Sequence, residues 1–261
     1  VKPNKHANLI LKAIEETQRK ESVKPRVEPV RPLTDGQRAY DAAFKSSDIV
    51  FGIGCAGTGK TWFAVQRAVE AYKDGLVSKI YVTRPNVDVE RGFGFLPGEL
   101  DEKYAPYLVP LEEAFVEAFG STHYELLVKN KVIEPVPLAF MRGRTLKNAW
   151  VIADEMQNAT KAEFLMFLTR IGEGSKYIIN GDPAQVDRGI RSGLMDAVGR
   201  VGRLAEAKVI RFTEEDVVRH DLVQKIVNLY AEPTRPDYSV ADDDENRAGL
   251  ERVLNVAGSR N

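Results

Sequence analysis

Short apolar runs alternate with helical patterns along most of this chain. The runs at 49–53, 79–83, 132–138, 149–153, 177–180 and 208–212 are rich in Val, Ile, Phe and Tyr and read as buried strands. Between and after them, apolar positions recur at helical spacing over 60–74, 106–119, 122–130, 161–171, 192–204 and 216–230. Strands alternating with crossover helices predict an α/β fold, with a mostly parallel sheet covered by helices on both faces. Several strands end in polar residues, and open sheets of this kind bind ligands at such ends.

The flanks have a different character. Residues 4–20 read as a helix with Leu9, Ile10, Leu11 and Ile14 on its apolar side. Pro25, Pro29 and Pro32 then force an extended connector. Thr34 is placed to cap a helix reaching Ser46, with Gln37 completing a capping box. The pattern fades after Tyr230 into Thr234-Arg235-Pro236-Asp237 and the acidic run 242–245, read as a solvated tail with a short helix at 246–256. Three parts follow: an N-terminal helix and Pro-rich connector over 1–32, a main domain over 33–231, and an acidic tail over 232–261.

Composition narrows the class without choosing a function. The 261 residues are 43% hydrophobic and 29% charged, as expected of a globular domain with a substantial core. No apolar run approaches the roughly 20 residues of a membrane helix, and no secretory pattern opens the chain. The single cysteine, Cys55, excludes an internal disulfide and a cysteine-based zinc cluster. These features are those of a cytoplasmic protein, in a host cytoplasm if phage-encoded. The net charge of −1 means that nucleic acid, if bound, meets a local basic patch.

The chemistry begins at Gly54-Cys55-Ala56-Gly57-Thr58-Gly59-Lys60-Thr61, which meets every specified position of the phosphate-binding loop G-x-x-x-x-G-K-[ST]. It follows an apolar strand and precedes a helical pattern, as its mechanism demands. Glycines allow a tight curl, and the loop amides with the helix N-terminus favour an anion. Lys60 is expected to reach the β/γ-phosphates and Thr61 to place its hydroxyl on Mg²⁺. Cys55 reads as a small apolar-like filler of the loop rather than a reactive thiol.

A second constellation supplies hydrolysis. The run Ala149–Ala153 ends in Asp154-Glu155. Asp154 is expected to hold Mg²⁺ through water, and Glu155 to polarise the attacking water. The run 177–180 delivers Gly181-Asp182 and then Gln185, which can donate to a γ-phosphate oxygen or orient water. Arg219 lies beyond an acidic first turn and suits two readings, an arginine finger or a surface ion pair. A small-molecule kinase must exclude water, whereas this residue set activates it.

With these residues assembled, the chain resembles the PhoH family of P-loop ATPases over about residues 33–230. The resemblance rests on the loop together with Val82-Thr83-Arg84-Pro85, Arg142-Gly143-Arg144-Thr145, Asp154–Asn158, Asn180–Gln185 and Asp216–His220. It implies a RecA-like P-loop NTPase core, Mg²⁺-dependent ATP hydrolysis and a link to RNA. Gln37 is similar to the adenine-recognition glutamine of superfamily one helicases. Arg219 matches the family's finger-like arginine, which implies a homo-oligomeric, hexameric ring. About thirty residues precede the ATPase, too few for the PIN-type nuclease domain of some relatives, so nuclease activity is not expected.

Arg142, Arg144 and Lys147 form one basic group, and Arg84 and Arg91, near Phe93 and Phe95, another. Both are candidates for RNA or single-stranded DNA, and 91–98 for a pore loop. They also suit ion pairs, ATP phosphates or core packing. Two functions stand: an ATPase coupled to single-stranded nucleic acid, or a nucleotide switch acting on a protein partner.

Overall fold

Alternation within each strand sets the architecture. The computed structural model describes residues 30–85, 100–187 and 189–218, with residues 222, 223, 225, 226 and 229 in helical conformation. Its sheet contains β1 (Ile49–Gly54), β2 (Lys79–Thr83), β3 (Ile133–Pro135), β4 (Ala149–Ala153), β5 (Lys176–Gly181) and β6 (Ala207–Phe212). The order is β3-β2-β4-β5-β1-β6, and every adjacent pair runs parallel. Six α-helices lie between residues 30 and 218 among the described residues: α1 (Asp35–Ser46), α2 (Lys60–Lys73), α3 (Leu100–Phe119), α4 (Ser121–Lys129), α5 (Lys161–Leu168) and α6 (Leu194–Val201).

Successive strand residues face opposite ways, so the sheet feeds two cores. Val50, Ile80, Val82, Trp150, Ile152 and Ile178 pack with α1–α4. Phe51, Tyr81, Val151, Tyr177 and Ile179 pack with α5, α6 and the 3₁₀ turn Leu138–Met141. Phe51, Tyr177, Ile80 and Ile152 are wholly buried. Each such side chain contributes about 1.5–3 kcal/mol relative to exposure, so burial on both faces fixes strand register.

Local chemistry sets the ends of elements and corrects several expected boundaries. The run 132–138 yields a strand only over Ile133–Pro135. Pro135 and Pro137 lack amide donors, and β3 is an edge strand, where that loss is tolerated. α5 begins at Thr160 with a complete capping box to Glu163. Thr34 caps α1 through Gln37 N at 3.1 Å, but the return half of the expected box is not made. Gln37 Oε1 instead accepts from Leu33 N at 2.8 Å. The helix expected to start at 216 does not: Glu214–Asp216 form a 3₁₀ turn and Val217 is extended.

Asp216 explains that turn. It accepts from Thr213 N at 3.0 Å and, 180 residues away in sequence, from Gly36 N at 2.8 Å, so it ties α1 to the end of β6. Burial pushes its carboxyl up, but the hydrogen bonds from Thr213, Thr34 and Gly36 outweigh it and hold it below its ordinary value. A depressed folded-state value stabilises the fold above about pH 4, where an unfolded carboxyl is ionised, and the contribution fades as pH falls through the folded value. Asp216→Ala is therefore expected to cost about 1–3 kcal/mol at neutral pH. In thermal melts, the gap from the wild-type chain narrows below about pH 4; a gap independent of pH contradicts the assignment.

The chain divides into two compact units, residues 1–218 and 219–261. The first holds the sheet, and the second contains the helical residues between 222 and 229. The expected helices at 4–20 and 246–256, the loop 91–98 with Arg91, and Arg219 lie outside the described residues. Among the described residues, no helix is long and apolar enough to cross a membrane.

Candidate functional site

Four neighbouring strands bring their carboxyl ends to one place. In sheet order these are β2, β4, β5 and β1. Register places Thr83 beside Ala153 and Ile53 beside Gly181, so the polar segments that follow them emerge side by side. They border a cleft of about 470 Å³, lined by Gly57, Lys60, Thr61, Arg84, Asp154, Glu155, Asp182 and Gln185, among others.

The loop after β1 owes its shape to glycine. Gly54 has φ +140°, and a Cβ there would lie 2.2 Å from the carbonyl oxygen of Phe212 on β6. No side chain fits that approach. Gly59 starts α2 at φ +80°, in the left-handed region, and Lys60 and Thr61 form the first turn. The N-terminus of this 14-residue helix opens on the cleft, where free amides and the helix dipole favour an anion.

Lys60 is buried and uses all three ammonium donors within the loop. Its Nζ donates to Gly54 O at 2.8 Å, Cys55 O at 2.6 Å and Thr58 Oγ1 at 3.2 Å. Burial lowers its pKa, while the acidic groups of Asp182, Cys55, Asp154 and Glu155 push it back up. Phosphate oxygens bring full negative charge and compete well against neutral carbonyls for those donors.

Asp154 is buried at the end of β4 and engaged on both oxygens. Oδ1 accepts from Thr61 Oγ1 at 2.9 Å. Oδ2 accepts from Arg84 Nε at 3.2 Å and also from Arg84 Nη2. The Thr61 hydroxyl and Asp154 carboxylate are hard oxygen donors held together beside the phosphate loop. They fit Mg²⁺, which binds through one or two protein oxygens and keeps water or substrate phosphate for the rest.

Glu155 follows with φ +55°, a left-handed conformation uncommon for a non-glycine residue. Strain of this kind collects at functional sites. The turn leaves Asp154 buried and Glu155 exposed at the cleft, so adjacent carboxylates have different surroundings. Gln157 Nε2 donates to Glu155 Oε2 at 2.6 Å. After β5, Gln185 Nε2 donates to Asp182 Oδ2 at 2.6 Å.

The structure thus gathers Lys60, Thr61, Asp154, Glu155 and Gln185, with loop residues Ala56, Gly57 and Gly59, in one cleft. Thr58 is buried behind it. Cys55 is partly exposed, and its Sγ reaches Thr213 O at 3.4 Å. Gln37 is buried, with Nε2 donating to Thr58 O at 3.0 Å, so it braces the loop from outside the cleft lining. The basic candidates separate. Arg84 lies in the cleft on Asp154, whereas Arg144 pairs with Glu134 at 2.8 Å and covers the Tyr81 ring at 5.2 Å. Arg142 and Lys147 are exposed and do not line the cleft.

The sequence motifs assign no role to Gln157, nor do they show the wall that α3 and Trp62 give the cleft. Trp62 Nε1 donates to Glu117 Oε2 at 2.9 Å, and Glu113 lines the same wall. Gln157 stood in view inside the Asp-Glu-Met-Gln-Asn run. The Trp62 pairing spans 55 residues and had no local signal.

Comparison with known proteins gives the family. A family model described as PhoH-like protein matches residues 29–231. The chain is 51% identical over 203 residues to a PhoH-like protein of Bacillus subtilis (strain 168), covering 77% of this chain and 64% of that protein. It is 45% identical over 209 residues to a PhoH-like protein of Mycobacterium bovis, covering 79% of this chain and 59% of the relative. Protein PhoH of Escherichia coli (strain K12) is 40% identical over 207 residues, covering 78% of this chain and 58% of that protein. The match therefore spans less than two thirds of these relatives' own length.

Proposed function

The chain belongs to the PhoH-like protein family, and from that premise we propose that it binds and hydrolyses ATP with Mg²⁺, coupling turnover to RNA or single-stranded nucleic acid. The observation that carries the reading is the hydroxyl–carboxylate pair of Thr61 and Asp154, 2.9 Å apart, in the cleft that holds Lys60, Glu155 and Gln185. A phosphate loop alone serves binding. A phosphate loop joined to a separate, exposed carboxylate serves attack by water.

In this reading the residues divide the work as follows. Lys60 and the first turn of α2 take the phosphates, with loop carbonyls releasing the ammonium. Thr61 and Asp154 hold Mg²⁺, which neutralises charge on the β- and γ-phosphates when bound. Glu155 accepts a proton from the attacking water. Gln185 donates to the terminal phosphate and so distinguishes triphosphate from diphosphate. In this reading Gln37 serves adenine recognition through the loop it braces, and Arg219 stabilises transferred charge from a neighbouring subunit of a hexameric ring. Arg91, Arg142, Arg144 and Lys147 are the residues proposed for nucleic-acid phosphates, Arg84 being engaged on Asp154 inside the cleft, and helicase activity is the corresponding work in the cytoplasm.

Steady-state ATP hydrolysis with and without single-stranded RNA tests the coupling. We expect stimulation that is lost as salt rises, because phosphate contacts release counterions. Turnover unaffected by RNA of several lengths and sequences instead favours a nucleotide switch acting on a protein partner.

A further inference from the structure

Gln157 has a role that the phosphate loop and the carboxylate pair do not explain. Its side chain is 1% exposed and ends at three functional positions. Nε2 donates to Glu155 Oε2 at 2.6 Å and, more weakly, to Gln185 O at 3.4 Å. Oε1 accepts the backbone N–H of Asp182 at 3.1 Å. One amide therefore joins the exposed carboxylate after β4 to the loop after β5.

Further hydrogen bonds surround this link. Asp182 Oδ1 accepts from Ala184 N at 3.0 Å, and its Oδ2 accepts from Gln185 Nε2. A chain of hydrogen bonds thus runs Glu155–Gln157–Asp182–Gln185. Asn158 clamps the far end of the same loop: its Nδ2 donates to Asp187 Oδ2 at 2.7 Å, and its Oδ1 accepts from Asp187 N at 2.9 Å. Two consecutive residues after the Asp-Glu pair hold both ends of segment 182–187. The fit is close: a Cβ at Gly181 would lie 3.0 Å from Gln157 N and 3.1 Å from Gln157 Oε1.

Resting on the ATPase reading above, we infer that Gln157 is the positioning residue that sets Glu155 and Gln185 in one arrangement around the terminal phosphate. The amide suits the task chemically. It donates to a carboxylate without competing for the proton that Glu155 must accept, and its other end holds the backbone from which Gln185 departs. Glu155 is exposed, so a directed bond at its tip, rather than packing around its stem, sets its aim. Misplacement of a catalytic group by about 1 Å costs roughly 10²-fold in rate.

The test compares Gln157→Met, which keeps volume and loses both bonds, with Gln157→Glu, which keeps an acceptor for Asp182 N–H and loses the donor to Glu155. Turnover, affinity for a non-hydrolysable ATP analogue, and amide exchange across 182–187 are measured on the full chain. For Gln157→Met we expect kcat down about 10²-fold, analogue affinity within about threefold, and faster exchange across 182–187. Glu155→Gln added to that variant costs at least tenfold less than in the wild-type chain, because the two residues act as a unit. For Gln157→Glu we expect a similar loss of kcat with exchange near the wild-type rate. This variant carries the test if Gln157→Met does not fold. A kcat within a few-fold of wild type overturns the inference, as do parallel losses of kcat, affinity and melting temperature with additive Glu155→Gln. A wild-type chain that binds ATP without hydrolysing it overturns the ATPase reading, and this inference with it.

Discussion

Lys60→Ala is expected to abolish measurable ATP turnover and to weaken nucleotide binding. The ammonium is buried and held by Gly54 O, Cys55 O and Thr58 Oγ1, so it stands inside the loop before phosphate competes for it. Its position at the first turn of α2 adds a full charge to the partial charge of the helix terminus. Removing one preorganised donor from developing charge costs roughly 10²–10³-fold in rate, about 2.7–4 kcal/mol. A full charge in a partly desolvated cleft belongs at the upper end. Alanine also leaves two loop carbonyls without their donor, so the melting temperature is read alongside. Turnover within a few-fold of wild type would remove Lys60 from the phosphate site.

Glu155→Gln separates chemistry from binding. Its side chain is exposed at the cleft, while Asp154 beside it is buried and bonded to Thr61 and Arg84. The amide keeps the shape of Glu155 and cannot accept a proton. Loss of a positioned general base costs about 10²–10⁴-fold. The variant is therefore expected to bind ATP with near wild-type affinity and to hydrolyse it at least 10²-fold more slowly. Phosphate release under single-turnover conditions, beside an equilibrium titration with ATP, reads both. Normal release would exclude Glu155 as the base, and lost binding would give it a structural task instead.

The sheet was largely legible because buried strands write themselves as continuous apolar runs. Ile49–Ile53 and Ala149–Ala153 need no distant partner to be recognised. The cleft residues were legible for a related reason: the phosphate loop and Asp154-Glu155 sit where strands end, and parallel pairing brings such ends together. What escaped depends on contacts far apart in sequence. Arg84 lies 70 residues from Asp154, and only the pairing of β2 with β4 puts it on that carboxylate. Gln157 lies 25 residues from Asp182 and gains its place through β5. The pattern over 216–230 puts Asp216 at the start of a helix, but its bond to Gly36 across 180 residues binds it into a tight turn instead. The spacing from Thr34 marks Gln37 as the return half of a capping box, yet its amide turns to Leu33 and Thr58 instead. In each case a buried polar group found a tertiary partner that local pattern does not encode.

Hydrolysis of ATP with Mg²⁺ is proposed for the cleft at the ends of β1, β4 and β5. The most direct measurement is phosphate release from ATP by the wild-type chain, with Mg²⁺ present and then chelated, beside Lys60→Ala prepared identically. Steady release is expected with Mg²⁺, near-background release on chelation, and near-background release from Lys60→Ala under both conditions. Equal release from the wild-type chain and Lys60→Ala, or ATP binding by the wild-type chain without any release, would contradict this proposal.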